Sequence, residues 1–172
     1  LLYKSAPFEV AYNTCKPQAV HVKFWVRPLG DKKFHISAQA DRAALYQFRE
    51  EKTAGIHHGL QIDDTLAWGE RLSTDWCGFS LQRQEAIPLS GETYYFVFHD
   101  YRSLTSAYNS ELQVEMDKNS SLTNVHILTE NPAKGIDFID TLTHHFLQYS
   151  NWRKRRIANV TLDFIDNQLA QV

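Results

Sequence analysis

Apolar residues along this chain follow two rhythms. Through the first part they alternate with polar ones; from Asn131 onward they recur at spacings of three and four. Phe8, Val10 and Tyr12 alternate, as do Val20, Val22, Phe24 and Val26 within Ala19 to Arg27. Period two with β-branched and aromatic members predicts strands. Pro28-Leu29-Gly30-Asp31 supplies a turn, and Phe34, Ile36 and Ala38 a returning strand. Ala43 to Arg49 suits either a helix or a strand, and the alternation of Ala44, Tyr46 and Phe48 favours the strand. Glu50 to Asp64, with Gly55 and Gly59, reads as a loop or irregular hairpin. Trp76 to Gln82 and Thr93 to Phe98 are further strands, separated by Pro88 and Gly91. Asp100 then caps a short helix carrying Leu104, Tyr108 and Leu112. Leu112 to Met116 and Leu122 to Leu128 flank a turn at Asp117-Lys118-Asn119.

The second rhythm is one long helix. Asn131 can cap it and Pro132 has its φ set for the first turn. Ile139, Leu142, Phe146 and Tyr149 form an apolar stripe, which resumes after a polar stretch with Ala158, Leu162, Ile165, Leu169 and Val172. Such a helix would span about 60 Å at 1.5 Å per residue. The stripe is still running at Val172, so the expectation is that the chain is a fragment of a larger protein, with helix 131–172 truncated. The first stretch, Ile139 to Tyr149, is expected to pack on the sheet, where Ala at Leu142 or Phe146 would cost about 2–5 kcal/mol. The second, Ala158 to Val172, is expected to await another helix or a neighbouring copy. The fold class expected is α+β: an antiparallel-rich mixed β-sheet with a short helix and a long C-terminal helix packed on it, forming a single domain over 1–172.

Composition narrows this only slightly. Hydrophobic content of 43% and aromatic content of 13% suffice for a core, and a net charge of −2 gives no support to nucleic acid or an anionic membrane face as partner. No apolar run is long enough to cross a bilayer. Cys15 and Cys77 could form one bridge, although two buried free thiols are favoured.

Candidate chemistry is sparse. His57-His58 with Asp63-Asp64 nearby, and His144-His145 on the helix, lack the i, i+4 spacing that brings two imidazoles to one ion, so exposed histidines are expected and no metal. No Gly-x-Ser-x-Gly elbow is present, neither cysteine lies in a catalytic signature, and the acidic pairs read as loop solubilisers. No catalytic residue and no cofactor is expected. Arg153-Lys154-Arg155-Arg156 is the one dense charge run; Arg153 and Arg156, with Leu162, Ile165 and Leu169, are candidates for self-association. Trp25, Trp68, Trp76 and Trp152 are candidates for stacking on sugar rings, with Tyr94 and Tyr95 beside them, although aromatics in strands more often pack in the core.

An ordered series in the second half carries a family resemblance. Tyr94-Tyr95-Phe96-Val97-Phe98 leads into the helix with Leu104 and Tyr108, ending Leu112-Gln113-Val114. Val125-His126-Ile127-Leu128-Thr129 follows, then Asn131-Pro132-Ala133-Lys134, Phe138-Ile139-Asp140-Thr141-Leu142, Phe146-Leu147-Gln148-Tyr149, and Leu162-Asp163-Phe164-Ile165-Asp166-Asn167-Gln168-Leu169. Over residues 92–172 this resembles the periplasmic domain of the chain-length-determinant (Wzz-type) polysaccharide co-polymerases, which include the external domain of bacterial tyrosine autokinases for capsule and exopolysaccharide. Residues 19–75 depart from the simpler members. The resemblance implies membrane spans before Leu1 and beyond a continued helix, and a place at the periplasmic face of the bacterial inner membrane. It also implies ring-type association with copies of itself beside the polysaccharide polymerase and export machinery, a non-enzymatic role in setting polysaccharide chain length or export, and no nucleic-acid partner. Some members carry a cytoplasmic kinase after the second span; this chain has no phosphate-binding Gly-rich Lys motif, so such activity would reside outside it. The alternative is a glycan-binding module of a secreted or surface protein.

Overall fold

A computed structural model describes residues 2–116 and 122–169. The chain divides into two compact units, 2–110 and 111–172, where the sequence suggested one. The boundary falls within a helix, so no shift of composition marks it. Strand and helix content, antiparallel pairing, a short helix and a long C-terminal helix make this an α+β protein.

The first unit holds eight strands: β1 (Phe8–Tyr12), β2 (Gln18–Val20), β3 (Phe24–Pro28), β4 (Lys33–Gln47), β5 (Lys52–Ala67), β6 (Arg71–Ser73), β7 (Gly78–Arg83) and β8 (Tyr94–Phe96). β4 is its spine. Along one edge it pairs antiparallel with β5 over nearly its full length, and along the other first with β3 and then with β2. β8 extends the sheet beyond β3. β1, β7 and β6 form a second, three-stranded antiparallel sheet. The one parallel pairing among the described residues is an isolated bridge from Val20 to Phe98.

Three expectations change here. The strand expected over 19–27 is interrupted: β2 ends at Val20 and β3 begins at Phe24, with His21 at a φ of 63° between them. The fragments predicted at 34–38 and within 43–49 are one continuous strand, β4. Residues 50–64, expected as a loop or irregular hairpin, belong largely to the sixteen-residue β5, the second strand of a long hairpin with a bulge. Pairing with β4 supplies the backbone hydrogen bonds, and the inward Leu60, Ile62 and Leu66 supply the buried face. The register shifts at Leu45/Tyr46, where Gly55 has a φ of 152° and its neighbour Ala54 is the extra residue of a bulge.

The core lies between inner faces of the two sheets. Phe24, Val26, Phe34 and Ile36 come from β3 and β4; Phe79 and Leu81 come from β7. Phe24 stacks on Phe96 at 5.0 Å and meets Phe79 edge-on at 5.3 Å. One buried polar side chain ties the sheets together. The Gln18 amide donates to the carbonyls of Asn13 (3.0 Å) and Gly78 (3.2 Å), and its oxygen accepts the Gly78 amide (3.0 Å). A fully buried amide is tolerated because both its ends are satisfied. After β8 in the chain comes helix α1 (Tyr101–Glu111).

That second unit is simpler. β9 (Leu112–Met116) and β10 (Thr123–Ile127) form an antiparallel hairpin, and helix α2 runs from Pro132 to Leu169. The turn expected at 117–119, and the helix's expected last residues to Val172, lie outside the described residues. Asn131 caps α2 as its position predicts, its Oδ1 accepting the Lys134 amide at 3.2 Å. Gly135 is buried where the helix starts; a Cβ there would sit 2.7 Å from a methyl of Thr129.

The long stripe departs from expectation. Ile139 and Leu142 are half-buried, but Phe146 is 65% and Tyr149 58% exposed. The reason is length: five-residue strands span about 17 Å, while a 38-residue helix runs about 57 Å. Phe146 therefore has no sheet beneath it from its own unit's hairpin, and the cost expected for Phe146→Ala falls accordingly.

Candidate functional site

Neither unit encloses a deep cleft among the described residues. Each does present a surface whose side chains are not consumed by its own core.

On α2 the surface is apolar on more than one side of the helix. Besides Phe146 and Tyr149, the residues Trp152, Ile157, Val160, Leu162, Phe164 and Ile165 are all exposed. Arg156 places its guanidinium 5.4 Å from the Trp152 ring centre, and Trp152 lies 5.9 Å from Tyr149. Arg153 is exposed. Of the five residues named for self-association, four thus stand on the helix surface; the side chain of Leu169 lies outside the described residues. So many exposed large apolar side chains on one helix are unusual for a surface that faces only water.

In the first unit the surface is the outer face of the larger sheet. Burial alternates along β3, with Phe24 and Val26 inward and Trp25 and Arg27 outward. Trp25 pairs in register with Tyr95 of β8 on one side and Ser37 of β4 on the other, and Ser37 pairs with Asp63 of β5. The Trp25 and Tyr95 ring centres are 5.1 Å apart, and the Lys23 ammonium lies 4.9 Å from the Tyr95 ring and 5.7 Å from Trp25. The rings remain 42% (Trp25) and 53% (Tyr95) exposed. One register step along, His35 bonds Asp63 at 2.6 Å.

The tryptophans named for sugar contact therefore separate. Trp25 stands outward. Trp68 is half-buried against Phe34 at 4.7 Å, and Trp76 is buried in the core beside Phe24, out of reach of any external ligand. Trp152 belongs to α2. Tyr95 is the partner that Trp25 needed, and the period-two register of its strand is the signal that places it outward. Tyr94, one residue away, turns in toward Phe8.

His21, Asp100 and Ser103 converge in the first unit, a grouping that the sequence reading missed. Asp100 Oδ2 accepts from the Ser103 hydroxyl at 2.6 Å and meets His21 Nε2 at 2.8 Å, while Oδ1 accepts the Ser103 amide at 2.9 Å. The Ser103 hydroxyl, then its amide and the His21 imidazole, hold the Asp100 carboxyl well below the usual carboxylate range. This is a helix cap rather than a nucleophilic triad. Serine and aspartate face the same imidazole nitrogen, and the hydroxyl donates to the carboxylate instead of to the histidine.

The cysteines are both free. Cys77 is buried, and burial pushes its thiol up to about 11, which keeps it protonated and inert. Cys15 is exposed, against the expectation of burial, with its sulfur 3.6 Å from Arg49 Nη1. Among the described residues no three His, Cys, Asp or Glu gather as a metal site; His57 instead lies 5.8 Å from the Trp76 ring. No helix among them is long and apolar enough to cross a membrane. No protein-family model matches the chain, and neither a curated protein nor a solved structure matches it.

Proposed function

We propose that this chain is the extracytoplasmic, self-associating part of an inner-membrane polysaccharide co-polymerase, governing chain length or export of a capsular or exopolysaccharide. The observation that carries the reading is α2: a 38-residue helix, capped at Asn131 directly after a hairpin, whose apolar side chains from Phe146 to Ile165 remain exposed. Such a helix is suited to packing along another copy of itself. Its order after β8, α1 and the β9–β10 hairpin follows the ordered motif series that carries the resemblance. On this reading the role is non-enzymatic, the place is the periplasm, and the partners are further copies of the chain and the polymerase or export machinery.

The test is genetic. Deleting the parent gene in the source bacterium is expected to change the length distribution or the amount of surface polysaccharide on gels. Restoring it with Phe146, Leu162 and Ile165 changed to Ser should restore protein but not polysaccharide profile, and should weaken cross-linked oligomers in membranes. An unaltered polysaccharide in the deletion strain defeats the proposal. The exposed Trp25–Tyr95 pair favours one second reading, a glycan-binding module that acts without self-association.

A further inference from the structure

The outer sheet face of the first unit has a chemistry that neither core packing nor α2 explains. Tyr95, Trp25, Ser37 and Asp63 lie in one row across β8, β3, β4 and β5, a span of roughly 14 Å at the usual strand spacing. Two exposed rings begin the row, and a hydroxyl and a carboxylate continue it. Arg27, two residues from Trp25 along β3, shares its face, and Lys23, just before the strand, places its ammonium near both rings. Among the described residues neither cation has a carboxylate partner, whereas Asp63 is already engaged by His35.

We infer that this face binds an acidic polysaccharide, a chain of pyranose rings bearing carboxylates. The C–H face of a pyranose carries slight positive charge and packs on the negative face of an aromatic ring, which suits Trp25 and Tyr95. Lys23 and Arg27 supply the cations that sugar carboxylates would pair with, and Ser37 offers a hydrogen bond to ring hydroxyls. An apolar protein partner fits less well, because it would bury both cations uncompensated. The inference deepens the proposed function by naming a ligand that the module itself holds. It is tested by direct binding, so it can fail while the genetic test succeeds, or the reverse.

The experiment is calorimetric titration of the purified chain with an oligogalacturonate and, separately, with a neutral cello-oligosaccharide of equal length. Binding of the acidic oligomer, quenching of tryptophan fluorescence, and weakening by added salt are expected. Trp25→Ala and Tyr95→Ala should each weaken binding about ten-fold. Lys23→Gln combined with Arg27→Gln should bring the acidic oligomer down to the level of the neutral one. That double variant leaves both rings in place and keeps the test open should a ring variant fail to fold, which thermal unfolding will reveal. Absent binding, equal affinity for the neutral oligomer, or wild-type affinity in the double variant overturns the inference.

Discussion

The two units use their apolar residues in opposite ways. In residues 2–110 the large rings turn inward: Phe24, Phe34 and Phe79 are almost wholly enclosed, and two sheets share them. In the second unit the hairpin is too short for its helix, and Phe146, Trp152, Leu162 and Phe164 are left exposed. The first unit contains a core of its own. The second leaves its large apolar side chains on the surface. An enclosed core and an uncovered apolar surface therefore coexist in one chain without drawing on the same side chains.

The sharpest way to break that comparison is to delete a ring from each unit. Phe24→Ala should lower stability by about 3–5 kcal/mol, because the cavity is enclosed by Phe79, Phe96 and Phe98. Phe146→Ala should cost less than about 0.5 kcal/mol in the same urea titration of the purified chain. Comparable losses would mean that α2 is covered by its own chain, and the contrast would collapse.

A smaller effect tests the one place where the second unit is tightly packed. Gly135→Ala would push a Cβ against Thr129, whose branched side chain has little freedom to yield, and should cost about 1–3 kcal/mol. Far-ultraviolet circular dichroism during thermal unfolding should show an earlier loss of helix, while near-ultraviolet signals from the first unit hold.

The smallest concerns the Asp100 cap. Asp100→Ala should cost about 1 kcal/mol at neutral pH. Its folded carboxyl titrates below the unfolded value near 3.9. Its contribution is thus complete above that value and is lost as pH falls through the range below it. The gap between variant and parent should stay level from pH 6 to about 4 and narrow only below that, as urea midpoints are followed down toward about pH 2. A gap that stays constant would assign the cap's effect to something other than the charge.

Much of this was legible because hydrophobic spacing and capping chemistry agree. The alternation of β3, the Asp100 and Asn131 caps and the hairpin before α2 all stand where their residues indicate. β5 was not legible. Gly55, Gly59, His57-His58 and Asp63-Asp64 are loop-forming residues in isolation, and only the pairing with β4 overrides them. The Trp25–Tyr95 pair was half legible: Trp25 stood out as a tryptophan, but its cross-strand partner is seventy residues away and only register reveals it. The stripe misled for a different reason. Periodicity states that a helix has an apolar side, not what covers it, and nothing in Ile139 to Tyr149 encodes how short the hairpin beside it will be.

β5 also presents an open strand edge. Its far edge is a sixteen-residue row of backbone donors and acceptors with no partner strand among the described residues. A flat edge of that length would recruit strands from other molecules and seed aggregates. The bulge at Ala54, the two glycines, and the adjacent carboxylates of Asp63 and Asp64 interrupt and repel such an incoming strand. The residues that disguise β5 as a loop are the ones that keep its edge from becoming an adhesive.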